Sequence, residues 1–158
     1  MKKTTRIVCA LTLLFTVCLG TTLRAEQQTW TSDQQAVIDA LKNGPIGIEK
    51  NFDRWADGYA SHWSYWRVGD RTVRPKDEHM ALVRAYIDAG NKPVSFELEP
   101  IDVIVRGDAA MVRLIATETL LSADGEARIV RYASATMLSR ETGDWKVLAS
   151  NLVYLDDD

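Results

Sequence analysis

The amino-acid sequence predicts a single α+β domain: a cone-shaped, curved antiparallel sheet of four long strands plus one short one, closed by three helices. Three observations predict it. A helical first half gives way to a strand-rich second half, the segregation that marks this class. The second half is punctuated by Gly107-Asp108, Asp124-Gly125 and Thr142-Gly143, and Asp-Gly between alternating runs is a strong hairpin signal. The runs between these turns are also too long to lie straight. A strand of about 14 residues at ~3.3 Å each would reach roughly 46 Å. A compact domain of about 133 residues is only roughly 36 Å across. Such strands must bend, through bulges or strong twist, and a bent sheet has a concave face for helices to close.

The domain begins after residue 25. Lys2, Lys3 and Arg6 make a basic start, Ile7 to Gly20 is an almost uncharged apolar stretch, and the small Ala25 precedes polar Glu26-Gln27-Gln28. That is the layout of a cleavable secretory signal peptide. Residues 1–25 are therefore expected to be removed, leaving residues 26–158 as one domain in the periplasm or outside the cell. Lipid anchoring through Cys18 is disfavoured, because Val17 before it is bulkier than such a site accepts.

Losing that segment changes the chemistry of the chain. Both cysteines, Cys9 and Cys18, leave with it, so no disulfide, thiol nucleophile or cysteine metal site is expected. Four of the 19 basic residues and none of the 22 acidic ones lie there, so 15 face 22 and the net charge becomes −7. A nucleic-acid partner needs a basic surface and is disfavoured. No second apolar stretch is long enough to cross a membrane, so no stable insertion is expected.

The elements follow in order. Ser32 and Asp33 suit a helix N-terminus, with Val37 and Leu41 as its apolar stripe, and Asn43-Gly44-Pro45 stops it. Ile48, Phe52, Trp55 and Tyr59 are spaced four, three and four apart, which predicts one second helix. His62 to Arg67 reads as a short aromatic strand, and Val68 to Arg74 as a loop. A third helix starts at Pro75, carries Asp77 and Glu78 in its first turn and ends before Gly90. Four strands follow from Val94 onward.

Hairpin register brings out one pair of charges. If Asp124-Gly125 is a two-residue turn, Glu118 faces Arg131 on an otherwise apolar strand face. Charges on such a face must be paired. One reading is an ion pair that sets register in the core. The other is a polar anchor on a cavity wall, with Arg131 holding an anionic ligand or Glu118 acting as a base. A three-residue turn with a bulge would dissolve the pair. The same rule at Gly107-Asp108 sets Glu97 against Glu118, an unfavourable contact that a bulge would relieve.

Between Trp55 and Trp66 the chain packs three of its five tryptophans, with Tyr59, Tyr65 and His62 among them. Trp63 and Tyr65 point to one side of the strand, His62 and Trp66 to the other, and one pair should face the cone. Tyr59 has a polar tip that needs a partner if buried. His62 suits a general base near neutral pH or a hydrogen-bonded structural residue. His79 is expected at the surface. Two histidines 17 apart without thiols match no metal site. No phosphate loop, serine elbow or dinucleotide fingerprint is present, so no cofactor is expected. Arg106-Gly107-Asp108 spells an adhesion tripeptide, but it sits where a hairpin turn is needed.

Asp53 to Trp66, Val105 to Val112 and the Gly143-Asp-Trp145-Lys-Val-Leu ending together resemble the nuclear transport factor 2-like superfamily, in its SnoaL-like branch. The resemblance implies a cone-shaped α+β barrel with a pocket, often dimeric through the sheet. Its members include isomerase-like, dehydratase-like and cyclase-like enzymes as well as binding modules, so fold does not decide function. Two positions depart from the pattern. Ser61-His62 stands where many relatives carry Asp, and Asn151 where many carry His.

The expectation is an exported domain that binds a small apolar or carbonyl-containing molecule. His62, Glu118 and Tyr59 are its candidate catalytic groups, and Tyr65, Trp66, Arg131 and Asn151 its candidate ligand contacts. If it is an enzyme, isomerisation or dehydration suits these groups. The rival expectation is a non-catalytic dimeric module with a filled cone.

Overall fold

The computed structural model describes residues 28–42, 44–140 and 143–155. The segment read as a signal peptide lies outside them. Three helices, α1 (Ser32–Lys42), α2 (Phe52–Ala56) and α3 (Lys76–Asp88), pack on one curved sheet. Its strands are β1 (Tyr59–Arg67), β2 (Arg74–Pro75), β3 (Lys92–Arg106), β4 (Ala109–Leu121), β5 (Ala127–Ser139) and β6 (Lys146–Tyr154), in the order β2-β1-β6-β5-β4-β3. The α+β class therefore holds, with two refinements. The sheet is open and mixed, because β1 runs parallel to β6, and β2 is an additional short strand.

The long strands bend where their register slips. In β3 this happens between Pro93 and Ser95 and between Pro100 and Asp102, and each slip leaves one extra residue, Val94 and Ile101. Bulges of this kind tighten the local twist. The second one puts Thr117 opposite Glu97 and Phe96 opposite Glu118, so the two acids do not meet. The slip in β5 and β6 falls at Met137/Leu138.

The turn between β4 and β5 corrects the register expected from two turn residues. The connection is a three-residue turn, closed by Ser122 N–H to Glu126 O at 2.9 Å and Gly125 N–H to Ser122 O at 3.0 Å. Gly125 supplies the left-handed residue, with φ 91°, that such loops need. Consequently Glu118 opposes Val130 and Arg131 opposes Thr117. The expected Glu118–Arg131 pair does not form.

Helix boundaries differ for local reasons. The cap of α1 is Thr31, whose Oγ1 accepts from Gln34 N–H at 3.3 Å while Gln34 Oε1 accepts from Thr31 N–H at 2.9 Å. That reciprocal pair is a capping box. The second helix is shorter than its apolar spacing suggests. Gly47 takes φ 78°, so residues 45–50 form turns, and the chain is already extended at Tyr59.

Two core clusters result. Val37 and Ile38 of α1 pack with Val103, Val112, Leu114 and Leu138. Trp63, Met80 and Val147 form the second, with Phe52, Trp55 and Tyr59 against them. A cavity lies between the concave sheet face and the helices.

Candidate functional site

Directly opposed residues share a sheet face, so the pairings settle which side chains look inward. Leu114, Glu118 and Leu120 of β4 join Val130, Tyr132, Ser134 and Thr136 of β5 on the concave face. Ser150, Leu152 and Tyr154 continue it on β6. On β1, Tyr65 lies beside Ser150 and Trp66 beside Asn151, so Trp63 and Tyr65 are the inward pair. These walls and the helices bound a cavity of about 890 Å³, within the range of small-molecule sites.

Of the residues expected at a site, Tyr59, Tyr65 and Glu118 line this cavity. His62, Trp66, Arg131 and Asn151 do not. His62 is exposed and borders a shallow depression with Val73, Pro75 and Lys76 on the other face of β1. Trp66 donates its indole N–H to the Asp70 carbonyl at 3.0 Å. Arg131 is exposed on the convex face, because the three-residue turn rotates it away from Glu118. Asn151 is on that face too, and its carbonyl accepts from Ser134 Oγ at 3.0 Å.

Four polar residues enter the site that sequence reasoning missed. Tyr132 donates to Glu118 Oε1 at 2.6 Å. Ser134 and Thr136 hydroxyls bond each other at 3.0 Å. Ser150 Oγ accepts from Trp63 Nε1 at 3.2 Å. Alternation along β5 could have grouped Tyr132, Ser134 and Thr136 on one face. His79, expected at the surface, lines the cavity with Val83, Tyr86 and Ile87. The helical stripe extends one turn back from Val83, which is the signal that places it.

Aromatic rings form a continuous edge-to-face series along one wall. Trp55 meets Tyr59 at 5.0 Å, Tyr59 meets Trp63 at 4.8 Å, and Trp63 meets His79 at 5.0 Å. Tyr65 lies 4.5 Å from His79. Contacts at these separations add to simple burial. Trp63 is 3% exposed and anchors the series.

The electrostatics follow from burial. Removal from water pushes the Glu118 carboxyl up, and the hydrogen bond from Tyr132 partly opposes this. Only Oε1 of Glu118 has a hydrogen-bond partner among the described residues. Burial, then the nearby Glu118 charge, pushes the Tyr59 and Tyr132 phenols up. Burial also raises Tyr65, with neighbouring Tyr154 adding to the effect. Burial, assisted by the Arg74 cation, lowers His79 to about 4. Its imidazole is neutral at pH 7, and Nδ1 is buried without a hydrogen-bond partner among the described residues. Such a site combines a carboxyl, phenolic donors and a neutral imidazole on largely apolar walls. It suits proton transfer and hydrogen bonding. No cluster of three or more His, Cys, Asp or Glu residues with metal-binding geometry occurs among the described residues.

Comparison with known proteins agrees with this architecture. A family model described as a SnoaL-like domain matches residues 46–152. No curated protein matches the sequence. A ketosteroid isomerase-like protein from Erwinia carotovora atroseptica superposes with a TM-score of 0.60 at 16% identity, over 81% of this chain and 100% of that one. An NTF2-like protein with a cystatin-like fold from Novosphingobium aromaticivorans gives 0.57 at 19% identity, over 80% and 84%. An NTF2-like protein of unknown function from Silicibacter pomeroyi gives 0.56 at 17% identity, over 80% and 100%. At these identities the likeness is one of fold.

Proposed function

This chain belongs to the SnoaL-like domain family, and on that premise we propose that its cavity binds a small, largely apolar molecule bearing a carbonyl group, with Glu118 exchanging a proton with it. The observation that carries the reading is Glu118 on the wall of the cavity, bonded through one oxygen only. A carboxylate with a raised pKa is a stronger base than one in water. A proton on the carbon next to the bound carbonyl would pass to Glu118; its return to that carbon is exchange, and its return to the γ-carbon of a β,γ-unsaturated ketone, with the double bond moving to the α,β position, is an isomerisation. The oxygen that gains charge would accept from Tyr59 or Tyr65, whose phenols stay protonated because their pKa values are raised. A filled cone does not describe a cavity of about 890 Å³. We place the domain outside the cytoplasm on the composition of residues 1–25.

The test is a thermal-shift screen of small ketones and enones, followed by deuterium exchange at their α-carbons read by proton NMR. Binding to the wild type is expected, with exchange slowed at least about 100-fold in Glu118→Gln. Binding without exchange removes the proton-transfer part. Absence of any binding removes the whole reading.

A specific observation favours dimerisation as a second property. The convex face leaves Ile104, Met137 and Val153 between 38% and 44% exposed. An apolar sheet face of that kind is what a partner copy would cover. Sedimentation velocity should give a dimer that Met137→Glu converts to monomer.

A further inference from the structure

The charged groups around the cavity are unevenly distributed. Lys50, Arg54 and Arg128 line it, as do His79 and Glu118, and among the described residues no other carboxylate does. Glu118 sits inside and is hydrogen-bonded to Tyr132. His79 is neutral at pH 7. The three cations are exposed, so they stand at the rim. Among the described residues none of them has an ion-pair partner, whereas Lys42, Arg67, Arg74, Arg84, Arg113 and Arg140 do. The acid nearest in sequence to Arg54 is Asp53, and it is held by Arg84 at 2.9 Å. Glu49 and Asp57 do not line the cavity. An acidic chain thus has three exposed cations, none ion-paired among the described residues, on the lining of a largely apolar cavity.

The rim residues come from separate parts of the fold. Lys50 belongs to the turn before α2, Arg54 to α2 and Arg128 to the start of β5. Arg128 opposes Leu120, and that places it on the concave face. Next to Arg128 on β4 is Leu120, and two residues further along Glu118 is flanked by Val130 and Phe96. The geometry points to a ligand that is an amphipathic organic anion: an apolar or aromatic body inside, and a carboxylate or similar group at Lys50, Arg54 and Arg128. The inference rests on the cavity-binding reading above and adds the head group. Guanidinium and carboxylate bond in a charge-assisted way, and a rim exposed to water spares the anion full desolvation.

Two dyes share one body and differ in the head. N-phenyl-1-naphthylamine is neutral, and 1-anilinonaphthalene-8-sulfonate carries a sulfonate on the same ring system. Fluorescence titration should show the sulfonate dye binding at least about tenfold more tightly. The triple variant Lys50→Gln/Arg54→Gln/Arg128→Gln should reduce that preference to about twofold or less, with each single substitution contributing a share. A control of equal charge change, Lys92→Gln/Arg106→Gln/Arg131→Gln, alters exposed cations that do not line the cavity and should retain the preference. Equal binding of the two dyes, or an equal loss in the control, overturns the anion inference while the cavity reading stands. If neither dye binds the wild type, both fall.

Discussion

Tyr132 donates its phenolic hydrogen to Glu118 at 2.6 Å across the β4–β5 hairpin, within the cavity. The bond favours the carboxylate against the burial that disfavours it. Tyr132→Phe keeps the ring and deletes the donor. The Glu118 pKa is expected to rise further, read by carbon-13 NMR of the labelled carboxyl. Stability is expected to fall by about 1–2 kcal/mol. A Glu118 titration unmoved by Tyr132→Phe would show that the bond does not govern its charge.

His79 makes stability depend on pH. Its folded-state value of about 4 lies below the ordinary 6.5. Between these values the unfolded chain binds the extra proton and the folded chain does not, so stability rises with pH. The contribution is complete above about pH 6.5 and is lost as pH falls towards 4. With its partial exposure discounted, the loss is on the order of 1–2 kcal/mol. His79→Gln should flatten this limb in urea melts at pH 4.5 and 7. Glu118 contributes with the opposite sign, because its raised value favours the protonated fold. An unchanged slope in His79→Gln would exclude His79 as the source.

Trp63 connects the aromatic wall to the sheet. Its ring meets Tyr59, Tyr65 and His79, and its indole N–H reaches Ser150. Trp63→Ala should cost about 3–5 kcal/mol. His62→Ala, one residue away but exposed, should change stability by less than about 0.5 kcal/mol. Similar losses in both variants, measured by denaturant unfolding, would contradict the assigned faces of β1.

Much of this was legible in the sequence. Alternation correctly grouped Trp63 with Tyr65 and His62 with Trp66. The choice of inward pair depends on β1 running beside β6, a contact between residues more than 80 positions apart in the chain. No local pattern encodes it. The Glu118 partner was missed for a different reason. Two-residue and three-residue turns both suit Asp-Gly, and here the Ser122 hydroxyl bonds the Glu126 carbonyl at 3.0 Å and closes the longer form. One residue of difference turns Arg131 out and leaves Tyr132 to meet Glu118. The bend of the long strands, argued from length alone, corresponds to real slips in β3. The second helix forms but is shorter than its stripe, because turns around Gly47 take in Ile48 and the chain is already extended at Tyr59.

The parallel seam between β1 and β6 makes the cavity depend on the last strand of the chain. β6 emerges from the ribosome after the other five strands, yet it sits between β1 and β5. Until it arrives, β1 has only the two-residue β2 to pair with, and Trp63 and Tyr65 lack the wall that Ser150 and Leu152 complete. A nascent chain stopped short of residue 146 would hold the β3–β4–β5 meander but no closed cavity. The cavity wall is therefore complete only in a chain whose last strand is in place.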